Sequence, residues 1–396
     1  MELGQLDDIG RDPVRGGYSR HGYTSADLTL REWFTDAAGR VGLEPETDGN
    51  GNIWAWWDGR SGPDALVTGS HLDSVPGGGA FDGPLGVVSA LAAVRQLRNE
   101  GFVPRRPLAV AVFVEEEGGR FGLPCLGSRL LTGALSASDA LRRTDPDGIP
   151  LADAMRTAGF DPGRAGPDPG RLAGIGTFVE LHVEQGTLLA PTGAAIGVAT
   201  AVVAHGRWRL RFTGQGNHAG TTAMDERRDP MLAAAATVLA VREIAAARGS
   251  RATVGRLRPI PGGTNVIASA VELWLDARDD HDDQVRATVA EIAAAAHRLA
   301  DERGCAVSVT EESASGRVDF PAPLRDELAQ ALGDVPQVPT GAGHDAGVLA
   351  DHVPSGMIFV RNPTGISHAP EEHAEPEDCA AGVQALTTVL RRLAGP

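Results

Sequence analysis

Apolar residues recur along this chain with two different periods, and the change falls near residue 200. Over residues 26–42, Leu28, Leu30, Trp33, Phe34 and Ala37 stand at helical spacing, which predicts a helix. Asp48-Gly49-Asn50-Gly51-Asn52 reads as a turn, and residues 53–57 read as a strand. Residues 65–70 predict a buried strand and 84–97 a helix rich in Val, Leu and Ala. Residues 108–114 (Leu-Ala-Val-Ala-Val-Phe-Val) are continuously apolar, as in a strand whose sheet is covered on both faces. Strands alternating with helices predict an α/β layered domain. Its acids and histidines stand where apolar strands end, and open α/β sheets bind ligands there.

Beyond residue 200, Arg207-Trp208-Arg209-Leu210-Arg211-Phe212 alternates strictly, with one face apolar and the other basic: a half-exposed strand. Helices over 230–247 and 283–303 and strands over 252–257, 271–278 and 306–310 follow. This β-α-β-β-α-β order predicts an inserted ferredoxin-like unit over residues 201–312, which splits the flanking domain into 1–200 and 313–396.

A chain of 396 residues is long for one core, in keeping with two domains. No stretch approaches the ~18 apolar residues of a membrane span, and the start lacks the basic-then-apolar order of a signal peptide. Cys125, Cys305 and Cys379 are odd in number and far apart, so they read as reduced thiols of a cytoplasmic protein. A net charge of -16 argues against a nucleic-acid partner, because that affinity comes largely from basic contacts to phosphate. All 36 basic residues are arginine, which excludes Schiff-base chemistry and a modified lysine bridging two metals.

The candidate chemistry begins at Ser70-His71-Leu72-Asp73, where an apolar run breaks at a histidine and an acid follows two residues on. Gly77-Gly78-Gly79-Ala80-Phe81-Asp82-Gly83 then delivers a second acid on a glycine-rich loop. Zinc and its neighbours take histidine nitrogens and carboxylate oxygens. Two such ions roughly 3.5–4 Å apart clamp the attacking and leaving oxygens of a hydrolysis. Asp82 suits the bridge between them, His71 would hold one ion, and Asp73 would orient an imidazole from behind. Glu115, Glu116 and Glu117 end the apolar strand ahead of a tight loop, so one can bind metal while its neighbour stays free as a general base. His182, on a predicted strand over 177–183, and His368, on a loop after 357–360, complete the candidates. His205, His281, His297, His344, His352 and His373 have weaker contexts and are assigned structural places, and His21 has no evident partner.

In order along the chain stand Gly-Ser-His-x-Asp-Ser-Val-Pro, Phe-Asp-Gly-x-Leu-Gly, Glu-Glu-Glu-Gly-x-Arg-Phe, His-x-Glu-Gln-Gly, Gly-x-His-Ala-Gly-Thr-Thr, Gly-Ala-Gly-His-Asp-Ala and Gly-x-Ser-His-x-Pro-Glu-Glu. With these motifs the chain resembles, from about residue 26 onward, the amidase/hydantoinase-carbamoylase branch of the aminoacylase-type metallopeptidase superfamily. That branch contains N-carbamoyl-L-amino-acid hydrolases, β-ureidopropionases and allantoate amidohydrolases. The resemblance implies a two-domain α/β protein: a mixed-sheet dinuclear-metal catalytic domain interrupted by a ferredoxin-like lid that also forms a homodimer.

The resemblance further implies two divalent metal ions per subunit, His71 and His182 on one, Glu117 and His368 on the other, and Asp82 bridging. Glu116 aligns with the general base and Asp73 with the acid behind the metals. His218 aligns with a histidine that reaches the partner subunit's site and stabilises an oxyanion. Asn265 and Arg278 align with substrate-binding positions, Arg278 as a carboxylate clamp, and Gln185 with a contact to the ureido or amide group. Zinc is the expected metal, though such donors also accept manganese, cobalt and nickel. Departures from the motifs are Gly119 where serine is common, Ala223 where proline is usual, and Gly347 in place of a larger residue.

The expected activity is hydrolysis of a carbamoyl or ureido C–N bond in a small substrate bearing a carboxylate, with neither nucleic acid nor membrane as partner. An aminoacylase or dipeptidase of the same superfamily is the second reading; the use of His182, where peptidases tend to place an acid, speaks against it. A metal-binding dimeric scaffold without activity is the third, and an intact set of ligands and base speaks against that.

Overall fold

The computed structural model describes residues 2–395. They divide into two compact units, bounded as Met1–Val202 with Asp319–Pro396 and as Val203–Val318. The second unit ends later than residue 312, the boundary expected from the sequence. The reason is its last strand, which runs on from Ala306 to Ser315, where Ser315 pairs with His205.

The first unit is built on a mixed sheet with strands in the order Leu43–Thr47, Ile53–Trp57, Leu108–Phe113, Ala65–His71, Ile175–Val183, Ser355–Val360 and Ile196–Val202. Its four central strands, from Leu108–Phe113 to Ser355–Val360, are parallel to one another; Ile53–Trp57 and Ile196–Val202 flank them antiparallel, and Gln337–Thr340 pairs parallel with Ile196–Val202. Every residue of Leu108–Phe113, Ala65–His71 and Ser355–Val360 is buried, the burial expected of strands covered on both faces. Alternate residues Val110 and Val112 join Val179, Leu181 and Ile358 in a core closed by Pro84–Asn99 and Pro376–Ala394. The C-terminal helix was not anticipated from the sequence, although Cys379, Ala385, Leu386, Val389 and Leu390 mark its buried stripe. Because the central strands run parallel, their C-terminal ends share one edge of the sheet.

The second unit has four antiparallel strands in the order Ala306–Ser315, Ala204–Thr213, Ala270–Asp279 and Arg251–Ile260. Numbered in sequence this is 4-1-3-2, the ferredoxin-like arrangement. Trp208, Leu210, Phe212, Leu273 and Leu275 pack with residues of helices Pro230–Arg248 and Asp282–Asp301. Contrary to the expectation that no segment approaches a membrane span, Pro230–Arg248 is long and apolar enough to cross one. Ala233, Thr237, Val241 and Ala245 of this helix are nonetheless buried in the unit's core.

Candidate metal centre

Strand register brings the first two histidines together. Thr68 pairs with Val179 on adjacent parallel strands, so His71 and His182 lie level three residues further on. Their Nε2 atoms are 3.5 Å apart, and both side chains are fully buried. His182 Nδ1 lies 2.8 Å from Val183 O, and His71 Nδ1 lies 3.1 Å from Asp73 O. With Nδ1–H donating to those carbonyls, each Nε2 lone pair points into the cluster.

Asp82 enters from the glycine-rich loop just before helix Pro84–Asn99. The following residue has to be glycine: Gly83 has φ +83°, and a Cβ there would lie 2.4 Å from the His71 ring. Asp82 divides its two oxygens between two groups. Oδ1 lies 3.2 Å from His182 Nε2 and 3.6 Å from His71 Nε2, while Oδ2 lies 3.4 Å from His368 Nε2. His368 Nε2 is also 3.3 Å from Glu117 Oε2. Two sets of donor atoms therefore converge closely enough to hold an ion, His71–Asp82–His182 and Asp82–Glu117–His368, with Asp82 in common.

The Glu triplet sits two residues beyond Phe113, the partner of His71 in the neighbouring strand. Glu115 turns the chain with φ 53° and sends its carboxylate backwards to accept from Gly22 N, Arg120 N and Phe121 N. Glu116 and Glu117 are left facing the cluster, and their backbone N–H groups donate to Asp73 Oδ1 and Oδ2 at 3.1 and 3.0 Å. Asp73 thus does two things: its carbonyl orients His71 and its carboxylate pins the Glu loop. Glu116 Oε2 lies 3.6 Å from His71 Nε2. Burial pushes Glu116 well above the ordinary carboxyl range; His71 opposes this, while Asp345, Glu117 and Glu180 reinforce it. His368, also at left-handed φ (57°), is drawn down by burial but pushed up to about 11 by Asp82 and Glu117.

These donors fit divalent cations. Two imidazole lone pairs facing one carboxylate oxygen need a positive charge between them. Gln185 Nε2 supplies only an amide N–H to Asp82 Oδ2 at 2.8 Å and lies 3.1 Å from His368 Nε2. Glu117 Oε1 and Gln185 Oε1 are buried without a hydrogen-bond partner, acceptors of the kind that a metal or its water would satisfy.

Sequence reasoning missed several groups around this cluster. His344 packs against His182, ring centroids 4.5 Å apart, and with Glu180 and His182 forms a third possible donor group. Glu180 accepts from Ser70 Oγ and Ala346 N, and Asp345 accepts from Ser128 Oγ, all fully buried. Glu372 accepts from Phe81 N and Asp82 N and so fixes the bridging loop. The Gly-Ala-Gly-His-Asp-Ala and Ser-His-x-Pro-Glu-Glu motifs contain three of these residues, and Glu180 stands two positions before His182 with its side chain on the same face of the strand.

The remaining expected site residues lie in the second unit. His218 is exposed on Asn217–His218, which pairs with Val266–Ile267, and Ala219 N donates to Asn265 O at 3.0 Å, so His218 and Asn265 are neighbours. Arg278 is in the separate four-stranded sheet, at the end away from Thr213 and Ala270, which are the strand ends nearest in sequence to His218 and Asn265. Ala270 pairs with Thr213 and Arg278 with His205, eight residues further on, roughly 26 Å at strand rise. Its guanidinium is engaged by Asp276, Nε at 2.7 Å and Nη2 at 3.0 Å.

Comparison with known proteins gives this geometry its context. The model of Peptidase family M20/M25/M40 matches residues 67–392. The chain is 38% identical to an N-carbamoyl-L-amino acid amidohydrolase of Geobacillus stearothermophilus, covering 100% of this chain and 97% of that protein. It is 35% identical to a ureidoglycolate hydrolase of Oryza sativa subsp. japonica, covering 94% and 79%. A hydantoinase/carbamoylase family amidase from Burkholderia vietnamiensis has the same fold, with TM-score 0.91, 31% identity, and 100% and 96% of the two chains covered. The chain belongs to peptidase family M20/M25/M40 and, within it, to the hydantoinase/carbamoylase amidases.

Proposed function

We infer that this protein is a metal-dependent amidohydrolase that cleaves the carbamoyl or ureido C–N bond of an N-carbamoyl-L-amino acid or allantoate-like substrate. The observation that carries the reading is the division of Asp82, one oxygen toward His71 and His182 and the other toward His368, which is paired with Glu117. In this reading His71 and His182 would hold one divalent cation, Glu117 and His368 would hold the second, and Asp82 would contribute one oxygen to each. Zinc suits these donors, as do manganese, cobalt and nickel. Bound there, two cations supply Lewis acidity to the scissile carbonyl and lower the pKa of water towards ~7.

Glu116 then takes the proton of the attacking water through Oε2 and returns it to the leaving nitrogen. Asp73 positions Glu116 and Glu117 through their N–H groups, and Gln185 contacts the ureido or amide group. Arg278 takes the substrate carboxylate in exchange for Asp276, Asn265 contacts the substrate, and His218 meets the developing oxyanion. The roughly 26 Å between Arg278 and the His218 end of the sheet exceeds the span of such a substrate, which supports a homodimer that supplies His218 and Asn265 from the partner. Exposed Leu232 and Leu239 on helix Pro230–Arg248, beside the edge strand Arg251–Ile260, support the same assembly. A cytoplasmic place accords with three free, buried cysteines.

The deciding experiment is a kinetic panel of N-carbamoyl, N-formyl and N-acyl amino acids, allantoate, ureidoglycolate and dipeptides. Turnover of at least one carbamoyl or ureido substrate is expected. Turnover confined to dipeptides or N-acyl amino acids would replace this reading with that of a peptidase or aminoacylase.

A further inference from the structure

Residues Tyr18–Gly22 run ahead of the first long helix and outside the stretch matched by the family model. Their hydrogen bonds reach two loops of the cluster. Tyr18 and Gly78 exchange both backbone hydrogen bonds at 2.9 Å. Ser19 Oγ accepts from Gly77 N at 3.1 Å, and Ser74 Oγ accepts from Arg20 N at 3.0 Å while Ser74 N donates to Arg20 O at 3.1 Å. All of these lie on the loop that runs from Asp73 to Asp82. Gly22 N donates to Glu115 Oε2 at 2.9 Å, and Arg120 Nη1 donates to Gly22 O at 3.0 Å, on the loop of Glu116 and Glu117.

His21 fills the corner between the two loops. A Cβ at Gly119 would come within 3.0 Å of both His21 Nδ1 and Ser74 O. A serine there, common in the family motif, would have to push His21 or Ser74 aside. Arg20 anchors the segment: it is 1% exposed, donates to Leu6 O and Ile9 O at 2.6 and 2.9 Å, and lies 3.8 Å over the Tyr18 ring. Asp73 joins the same two loops from the inside. Any slip of one loop against the other therefore moves Asp82 relative to Glu117.

We propose that Tyr18–Gly22 is a clasp that holds the Asp73–Asp82 loop against the Glu115–Arg120 loop and thereby raises the affinity of the cluster for divalent cations. The inference rests on the metal-centre reading above. Groups that support metal ligands from outside change affinity by ~10–100-fold when they are lost, and the clasp supports two ligand loops at once.

The test is calorimetric titration of metal-stripped protein with zinc. Arg20→Ala should weaken binding about tenfold or more, and Ser19→Ala about two- to fivefold, with kcat at saturating zinc held within about twofold. Gly119→Ser should weaken binding by collision with His21, and adding His21→Ala to it should restore the affinity. Neither Ser19 nor Gly119 is buried, so these two variants decide the matter even if Arg20→Ala fails to fold. Unchanged zinc affinity in both overturns the clasp. Asp82→Asn separates the two ideas: it should abolish binding at the cluster, and full binding by that variant would overturn the metal-centre reading instead.

Discussion

The two units handle charge in opposite ways. The first buries Asp82, Glu116, Glu180 and Asp345 beside His71, His182 and His344 around the ends of parallel strands, where serine hydroxyls, an amide and a backbone N–H group donate to Glu180, Asp345 and Asp82. The second places its charges along one side of an antiparallel sheet, where acids and arginines pair directly. Arg211 and Arg258 donate to Glu272, Arg209 lies 3.7 Å from it, and Arg278 is clamped on Asp276. A buried set of like charges is held at a cost in stability and calls for an external cation. Charges paired within one sheet call for none. The contrast separates a cluster built for cations from a sheet built on ion pairs more sharply than the number of acids does, since both units are rich in them.

The largest effect should come from the base. Glu116→Gln keeps the size and most contacts of the side chain but removes proton transfer, so kcat should fall by about 10²–10⁴-fold with metal content unchanged. Activity near that of the parent, measured on metal-replete protein, would show that another group carries the proton. Chelation should come next. If the first unit relies on cations to balance its buried acids, stripping them should lower its melting temperature, and readdition at about 100 times Kd should return roughly 2.7 kcal/mol. Calorimetry that detects no metal-dependent shift would remove the basis of the contrast.

In the second unit, Arg278→Ala should raise KM by about 10–100-fold for a substrate with a carboxylate, the worth of a charge-assisted pair, and should have little effect on a substrate without one. An equal loss for both would make Arg278 a partner of Asp276 only. The smallest effect belongs to Glu272. Burial pushes its carboxyl up, yet hydrogen bonds from Arg258 and Arg211 outweigh this and hold it below its ordinary 4.5. A carboxyl depressed in the folded state stabilises above about pH 4.5 and loses that contribution as the pH falls. Glu272→Gln should therefore cost about 1–3 kcal/mol near neutrality and flatten the acid limb of the stability profile. Parallel acid limbs for parent and variant would place the acid sensitivity elsewhere.

Much of this arrangement was legible beforehand, for reasons that differ by element. Leu108–Phe113 announced itself as a strand buried on both faces because nothing polar interrupts it, and Arg207–Phe212 as a half-exposed strand because its period is two. The insert lost its last five strand residues in the sequence reading because four of the five from Glu311 to Ser315 are polar and their pairing with Ala204–Thr213 shifts register between Glu311 and Ser313. His344 has a weak context in the sequence, with no apolar strand leading into it, and only folding places it against His182. Glu180 was overlooked because an acid inside an apolar strand resembles noise until Ser70 and Ala346 are seen to satisfy it.

By itself the sequence determined which donors exist and that they stand at strand ends, because residue type and hydrophobic period are local properties. It could not determine which Asp82 oxygen faces which histidine, that Asp73 pins the Glu loop, or that Arg278 already holds Asp276. The first two follow from the register of parallel strands and loops distant in sequence, and the third from side-chain geometry along one strand. Tertiary packing alone decides the first two, because a parallel sheet aligns residues such as His71 and His182 only after its core has closed around it.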